Sequence, residues 1–336
     1  MSKETVSDPD STPPPTRRTR KRIIKCGVAI LLIGFVGLNI LAYRHAKAMT
    51  HFIPAGKRTD RPEELTTARK IRTLLTGISL PRPINRSTPD DLGLSFESVS
   101  FPGAHDIELE AWFIRSRNQN GVVALFHGYG GAKDSLLPAA TEFLDLGLTT
   151  LLVDFHGSGG SGGNTTSIGW HEAEDVVAAA NWIRESEPGQ PLYLHGISLG
   201  AVAILRATGS LGVEADGLIL ESPFDRMQTT VERRFDAMGV PSFPSAQLLV
   251  FWGGVQHGFN GFAHNPIEYA RNIDCPAIVL LGGKDPRVTL TDGTRVTEAL
   301  KAKADLVVFE SAGHAQCQSN APEEWRKTVT QFLTPH

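Results

Sequence analysis

The chain has 336 residues with 33 Lys and Arg against 36 Asp and Glu, and 41% of its residues are hydrophobic, an ordinary globular composition long enough to bury a large core. The basic charge is concentrated at the start: residues 1–49 hold nine Lys/Arg and three Asp/Glu, which leaves residues 50–336 at about −9 and gives nucleic-acid binding little electrostatic support. Three cysteines do not make a disulfide framework, and without CxxC, HExxH or His-rich spacing no metal and no cofactor is expected.

In chain order, residues 1–22 are rich in Pro, Thr and Arg without apolar periodicity and read as a disordered basic tail. An almost uncharged run follows from Cys26 to Tyr43. Its eighteen residues span about 27 Å as a helix, so 23–43 is expected to be one transmembrane signal anchor. Arg17, Arg18, Arg20, Lys21, Arg22 and Lys25 precede it, whereas only Arg44 and Lys47 follow closely. That bias places the amino terminus in the cytoplasm and the remainder outside, periplasmic in a bacterium. Ala46-Lys47-Ala48 has the small-x-small form of a cleavage site, which leaves a removed signal peptide as the alternative.

Residues 44–93 hold Pro54, Pro62, Pro81, Pro83 and Pro89 around one helical candidate at 63–76, and read as a linker that packs on the body. The main domain is expected over 94–336. Segments 95–101 and 107–116 alternate in polarity around Pro102-Gly103, which predicts an antiparallel hairpin. Apolar strands at 122–126, 149–153, 192–195, 217–220, 277–281 and 306–309 then alternate with helices at 136–146, 172–185, 201–211 and 323–332. This is an α/β pattern, a mostly parallel twisted sheet with helices on both faces. About fifty residues between Pro223 and Asp274 break the alternation, too many for an ordinary connection. A helical cap inserted at about 223–274 is expected, with Phe251, Trp252, Phe259 and Phe262 lining an acyl pocket; helices that only thicken the core are the alternative.

The chemistry centres on Gly196-Ile197-Ser198-Leu199-Gly200, set between a strand and a helix. There a serine occupies a strained turn with a helix N-terminus aimed at it, the form of a nucleophile elbow. A serine hydroxyl needs a base, and the base an orienting carboxylate. Asp285 follows one strand in Gly282-Gly283-Lys284-Asp285, and His314 follows the last in Ser311-Ala312-Gly313-His314. Parallel strands leave their carboxyl ends on one edge, so Ser198, Asp285 and His314 are expected to converge there, with Asp225 as the alternative acid. The backbone N–H groups of Leu199 and of Tyr129, in the turn His127-Gly128-Tyr129-Gly130-Gly131, are the candidate oxyanion donors. His127 reads as a structural residue.

With these motifs residues 94–336 resemble the α/β-hydrolases, nearest the serine-aminopeptidase-like and prolyl-oligopeptidase-like branch, and the whole chain resembles membrane-anchored α/β-hydrolase domain proteins. The segment Asp154-Phe155-His156-Gly157-Ser158-Gly159-Gly160-Ser161-Gly162 is similar to that family's Asp-x-Arg-Gly-x-Gly-x-Ser loop. His156 stands in place of the Arg, which leaves the loop's structural salt bridge open. Gly169, Glu172, Asp175 and Trp182 follow the family's spacing. The resemblance implies the α/β-hydrolase fold and a serine hydrolase, carboxylesterase- or lipase-like, that cleaves an acyl ester through an acyl-enzyme. A peptidase of the serine aminopeptidase or prolyl-oligopeptidase type, a thioesterase and an acyltransferase share that machinery. The peptidase would also need an acidic site for a substrate amine, and none is evident. From another class, a catalytically dead binding protein can occupy the same fold. The expected partners are a small-molecule acyl substrate, including a lipid, and the membrane.

Overall fold

The computed structural model describes residues 17–118, 120–315 and 317–334, without the side chains of Thr19, Ile23 and Glu63. Eight strands among them form one sheet in the order β1-β2-β4-β3-β5-β6-β7-β8. β1 (Glu97–Pro102) and β2 (Glu108–Ile114) are the antiparallel hairpin, and β2 also runs antiparallel to β4 (Thr149–Val153). The remaining pairs are parallel: β3 (Val122–Phe126) joins β4 to β5 (Leu192–Ile197), followed by β6 (Gly217–Glu221), β7 (Ala277–Gly282) and β8 (Ala304–Phe309).

Strand alternation divides one apolar run between two cores. Val122, Ala124 and Phe126 pack under α4 (Glu172–Ser186) and α5 (Leu199–Leu211). Val123 and Leu125 pack under α3 (Leu137–Asp145) and the C-terminal helix Pro322–Leu333. Both faces are therefore covered, which is why these strands read as continuously apolar.

The interval after β6 folds into three helices, α6 (Met227–Met238), α7 (Ser245–His257) and α8 (Pro266–Ala270). It lies against the first helix of the chain. α1 is a single helix over Arg17–Thr50, long and apolar enough to cross a membrane. Residues 1–16 of the expected tail lie outside the described residues, but residues 17–22 are helical, which corrects the tail's expected boundary. The cause is cooperativity: no proline interrupts 16–53, and each residue added to a formed helix gains a backbone bond. For the same reason α1 continues past 43 into the presumed linker. There one face of the helix is covered by the body. Ala42, Ala46 and Met49 are buried, Trp252 Nε1 of α7 donates to Asn39 Oδ1 at 3.2 Å, and Gln256 Nε2 donates to the Tyr43 carbonyl at 2.8 Å.

The rest of the linker is pinned to the loop after β4. Phe52 N donates to Asn164 O at 2.8 Å, Asn85 Nδ2 to Asp154 Oδ2 at 2.8 Å, and the Arg82 guanidinium to the carbonyls of Ser161 and Gly163. α2 (Thr67–Thr76) reaches α6, where Lys70 Nζ donates to the Ala237 carbonyl at 2.6 Å.

Candidate active site

Ser198 sits between β5 and α5 with φ 54° and ψ −108°, a conformation that side-chain-bearing residues rarely adopt. Its N–H donates to the Glu221 carbonyl at the end of β6, at 2.7 Å. The elbow needs Gly200, because a β-carbon there would stand 2.4 Å from the Phe126 carbonyl oxygen. The result is a half-buried hydroxyl at the N-terminus of a thirteen-residue helix.

The expected partners meet it. Ser198 Oγ lies 3.0 Å from His314 Nε2, and His314 Nδ1 lies 2.7 Å from Asp285 Oδ2. The other Asp285 oxygen accepts from the N–H groups of Arg287 and Val288 at 2.8 and 3.0 Å. Burial alone would raise the Asp285 pKa, but the hydrogen bond and charge of His314 and these two N–H groups hold it below the usual carboxylate value. Asp285 is thus an anion. Its acceptor capacity puts the proton on Nδ1 and leaves Nε2 facing the serine hydroxyl. The loops that carry the pair are tied together by Gly283 N to Phe309 O and Lys284 N to Ala312 O, each 2.8 Å.

Asp225, the alternative acid, is not part of this run. Its buried carboxylate accepts from Arg295 Nη1 at 3.2 Å.

Leu199 is the first residue of α5, so its N–H has no preceding turn to bond. The turn 127–131 lies against Ser198, since a β-carbon at Gly128 would be 3.7 Å from that of Ser198. His127 fixes this turn. Its Nε2 accepts from Phe155 N at 3.2 Å, so the proton is on Nδ1, which donates to the Gly128 carbonyl at 2.9 Å. Burial lowers its pKa and keeps it neutral. The Tyr129 hydroxyl donates to the Met49 carbonyl at 2.5 Å.

The expected aromatic wall over Ser198 is a correction. Phe251 and Phe262 are 46% and 42% exposed, and Trp252 is engaged with α1, its ring edge-on to Tyr43 at 5.4 Å. Phe259 is half-buried on the other side of the insertion's contacts, against Trp170. It stacks on Trp170 at 4.5 Å and lines an apolar cavity of about 50 Å³ with Met49, Ile168, Met227, Val231 and Val250, to which Ser198 does not contribute. The physical reason is that α1 extends far enough to claim the outer face of α7.

One feature beside the site carries no sequence signal. Glu221, at the end of β6, is buried and accepts from Cys317 N at 3.0 Å; burial, with Asp285 nearby, pushes its pKa up to about 7. The glycine-rich loop after β4 does contain an ion pair. His156 Nδ1 lies 2.6 Å from Asp175 Oδ2, and although burial alone would lower the imidazole pKa, Asp175 with Glu172 and Glu174 pushes it up to about 9. A His–Asp pair therefore stands at the position left open by the missing arginine. Cys26, Cys275 and Cys317 are all free thiols.

Residues 117–252 match the family model for serine aminopeptidase, S33, and residues 246–331 match that for the dienelactone hydrolase family. An uncharacterised protein of Bacillus subtilis, YqkD, is 26% identical over 74% of this chain and 85% of its own length. An uncharacterised membrane protein of Saccharomyces cerevisiae, YNL320W, is 27% identical over 41% of this chain and 49% of its own. The esterase Pf2001 of Pyrococcus furiosus superposes with a TM-score of 0.65 at 24% identity, covering 75% of this chain and 96% of that one.

Proposed function

Since the chain belongs to the α/β-hydrolase superfamily and is a hydrolase of that type, we propose that it is a serine hydrolase cleaving acyl esters through Ser198, His314 and Asp285. The observation that carries this reading is the hydrogen-bonded run from Ser198 Oγ through the imidazole to Asp285, built on a strained serine backbone. Ser198 Oγ attacks the acyl carbon while its proton passes to His314 Nε2, and Asp285 stabilises the imidazolium. The carbonyl oxygen, now an anion, accepts from the N–H groups of Leu199 and Tyr129. His314 then protonates the departing alkoxide. Water, deprotonated by the same nitrogen, attacks the acyl-enzyme, and the acid and the free serine are released.

Ser198→Ala is expected to abolish hydrolysis of p-nitrophenyl esters and labelling by a fluorophosphonate probe, with the circular dichroism spectrum kept. A rate within tenfold of wild type, about 1.4 kcal/mol, would remove Ser198 as nucleophile.

The serine aminopeptidase match favours one second reading, a peptidase. Such an enzyme needs a carboxylate for the substrate ammonium, and the charges beside the 127–131 turn are instead Arg58 and Arg234. Ester hydrolysis therefore stands first, and aminoacyl-nitroanilides tested beside the esters would reverse that order if they turn over faster.

The same proposal places α1 in a membrane as an uncleaved anchor, with the amino terminus cytoplasmic and the catalytic body outside. The long apolar run and the charged Arg44-His45 spacer before Ala46-Lys47-Ala48 favour the uncleaved form.

A further inference from the structure

Tyr129 is where three parts of the chain meet. Its hydroxyl bonds the end of α1 at Met49, while its carbonyl and that of Gly130 accept from Arg58 of the linker at 3.2 and 3.0 Å. Its ring carries two guanidiniums: that of Arg58 lies 5.8 Å from the centroid and that of Arg234, from α6, lies 5.6 Å away. Arg61 adds a third positive charge that acts on Arg58. Among the described residues none of these three has a carboxylate within ion-pair distance, although their neighbours do: Arg233 is held by Asp292 and Arg226 by Glu268. The contrast is sharper because residues 50–336 carry about −9 overall. Like charges gathered on one ring repel, and the ring's π face offsets only part of that repulsion. An arginine also has five N–H donors, so Arg58 keeps donors to spare after its two carbonyl bonds.

We propose that Arg58 and Arg234 form an anion subsite beside the 127–131 turn, so that the preferred ester carries a carboxylate or phosphate group on the same molecule as the cleaved bond. This deepens the ester-hydrolase reading and rests on it. Planar guanidiniums pair with carboxylate and phosphate oxygens through two parallel bonds. Tyr129 links the two functions, because its N–H is the proposed oxyanion donor and its ring touches both guanidiniums. A free substrate acid or a lipid headgroup presents the same chemistry.

The test uses the full-length protein in neutral detergent and a pair of substrates differing by one charge, p-nitrophenyl hydrogen adipate and p-nitrophenyl methyl adipate. Wild type is expected to favour the anion in kcat/KM by about tenfold or more, the worth of one hydrogen-bonded charge. Arg234→Gln and Arg58→Gln should bring the ratio toward one, and Arg234→Lys should keep most of it. Equal use of both esters by wild type, or a preference that survives Arg234→Gln, overturns the subsite. A preference found only on vesicles containing phosphatidylglycerol assigns the arginines to the bilayer surface and also overturns it. If neither ester is cleaved, the hydrolase reading has failed, and calorimetry of inorganic phosphate with Ser198→Ala decides the subsite. Saturable binding weakened tenfold or more by adding Arg234→Gln supports it, and equal binding by the two proteins overturns it.

Discussion

Charge at single residues decides two questions that chain order leaves open. Asp225 and Asp285 both follow parallel strands, yet only Asp285 meets the imidazole, while Asp225 pairs with Arg295. Asp285→Asn should therefore lower kcat roughly 10³–10⁴-fold by analogy with other triad carboxylates. Asp225→Asn should stay within about tenfold of wild type and be felt mainly as a lower melting temperature. The reverse order would move the acid to Asp225. His156 makes a separate prediction, about stability. Its pKa, pushed up to about 9 by Asp175, lies above the value of about 6.5 in an unfolded chain. The contribution is then fully present below pH 6.5 and is lost as pH rises through 9, a change on the order of 3 kcal/mol. Denaturant midpoints of wild type and His156→Gln should accordingly converge between pH 6 and pH 10. A gap that stays constant over that range would mean that the imidazole is uncharged and the pair is an ordinary hydrogen bond.

At the level of elements, Trp252 of the inserted helices acts as packing for α1. Trp252 gives its indole N–H to Asn39 and its ring to Tyr43. Trp252→Ala should lower the melting temperature by several degrees, as loss of about 2–4 kcal/mol from a half-buried aromatic contact would. Ester chain-length preference should not change, and a flattened preference with an unchanged melting temperature would restore Trp252 to the substrate pocket. The strands and the helices between them were legible because each carries its own periodicity: 122–126 and 149–153 coincide with β3 and β4 to the residue. So did the convergence of Ser198, Asp285 and His314, since strand ends on one edge need only their order. The partner of α7 was not legible, because Phe251, Trp252 and Phe262 have the same composition whether they face a ligand, a helix or a bilayer. The linker's grip on the 127–131 turn was also hidden, since it runs through carbonyl oxygens, which every residue possesses.

For the whole molecule, the proposed topology has a direct test. Protease added to intact cells or spheroplasts should digest the catalytic body, while an epitope placed before Arg17 stays protected. Protection of the body would invert the orientation, and a soluble form beginning near Met49 would mean that α1 is removed. If α1 is the anchor, its unbroken passage into the body matters beyond attachment. The stretch from Asn39 to Thr50 rises about 16 Å and is clamped along its length by α7, with Met49 bonded to the turn beside Ser198. A domain on a flexible leash sweeps a hemisphere and meets whatever diffuses past. One carried on a continuous helix would be held at a narrower range of heights over the headgroups. Encounter would then become a problem in the plane, favouring a molecule that drifts within the leaflet over one arriving from bulk water.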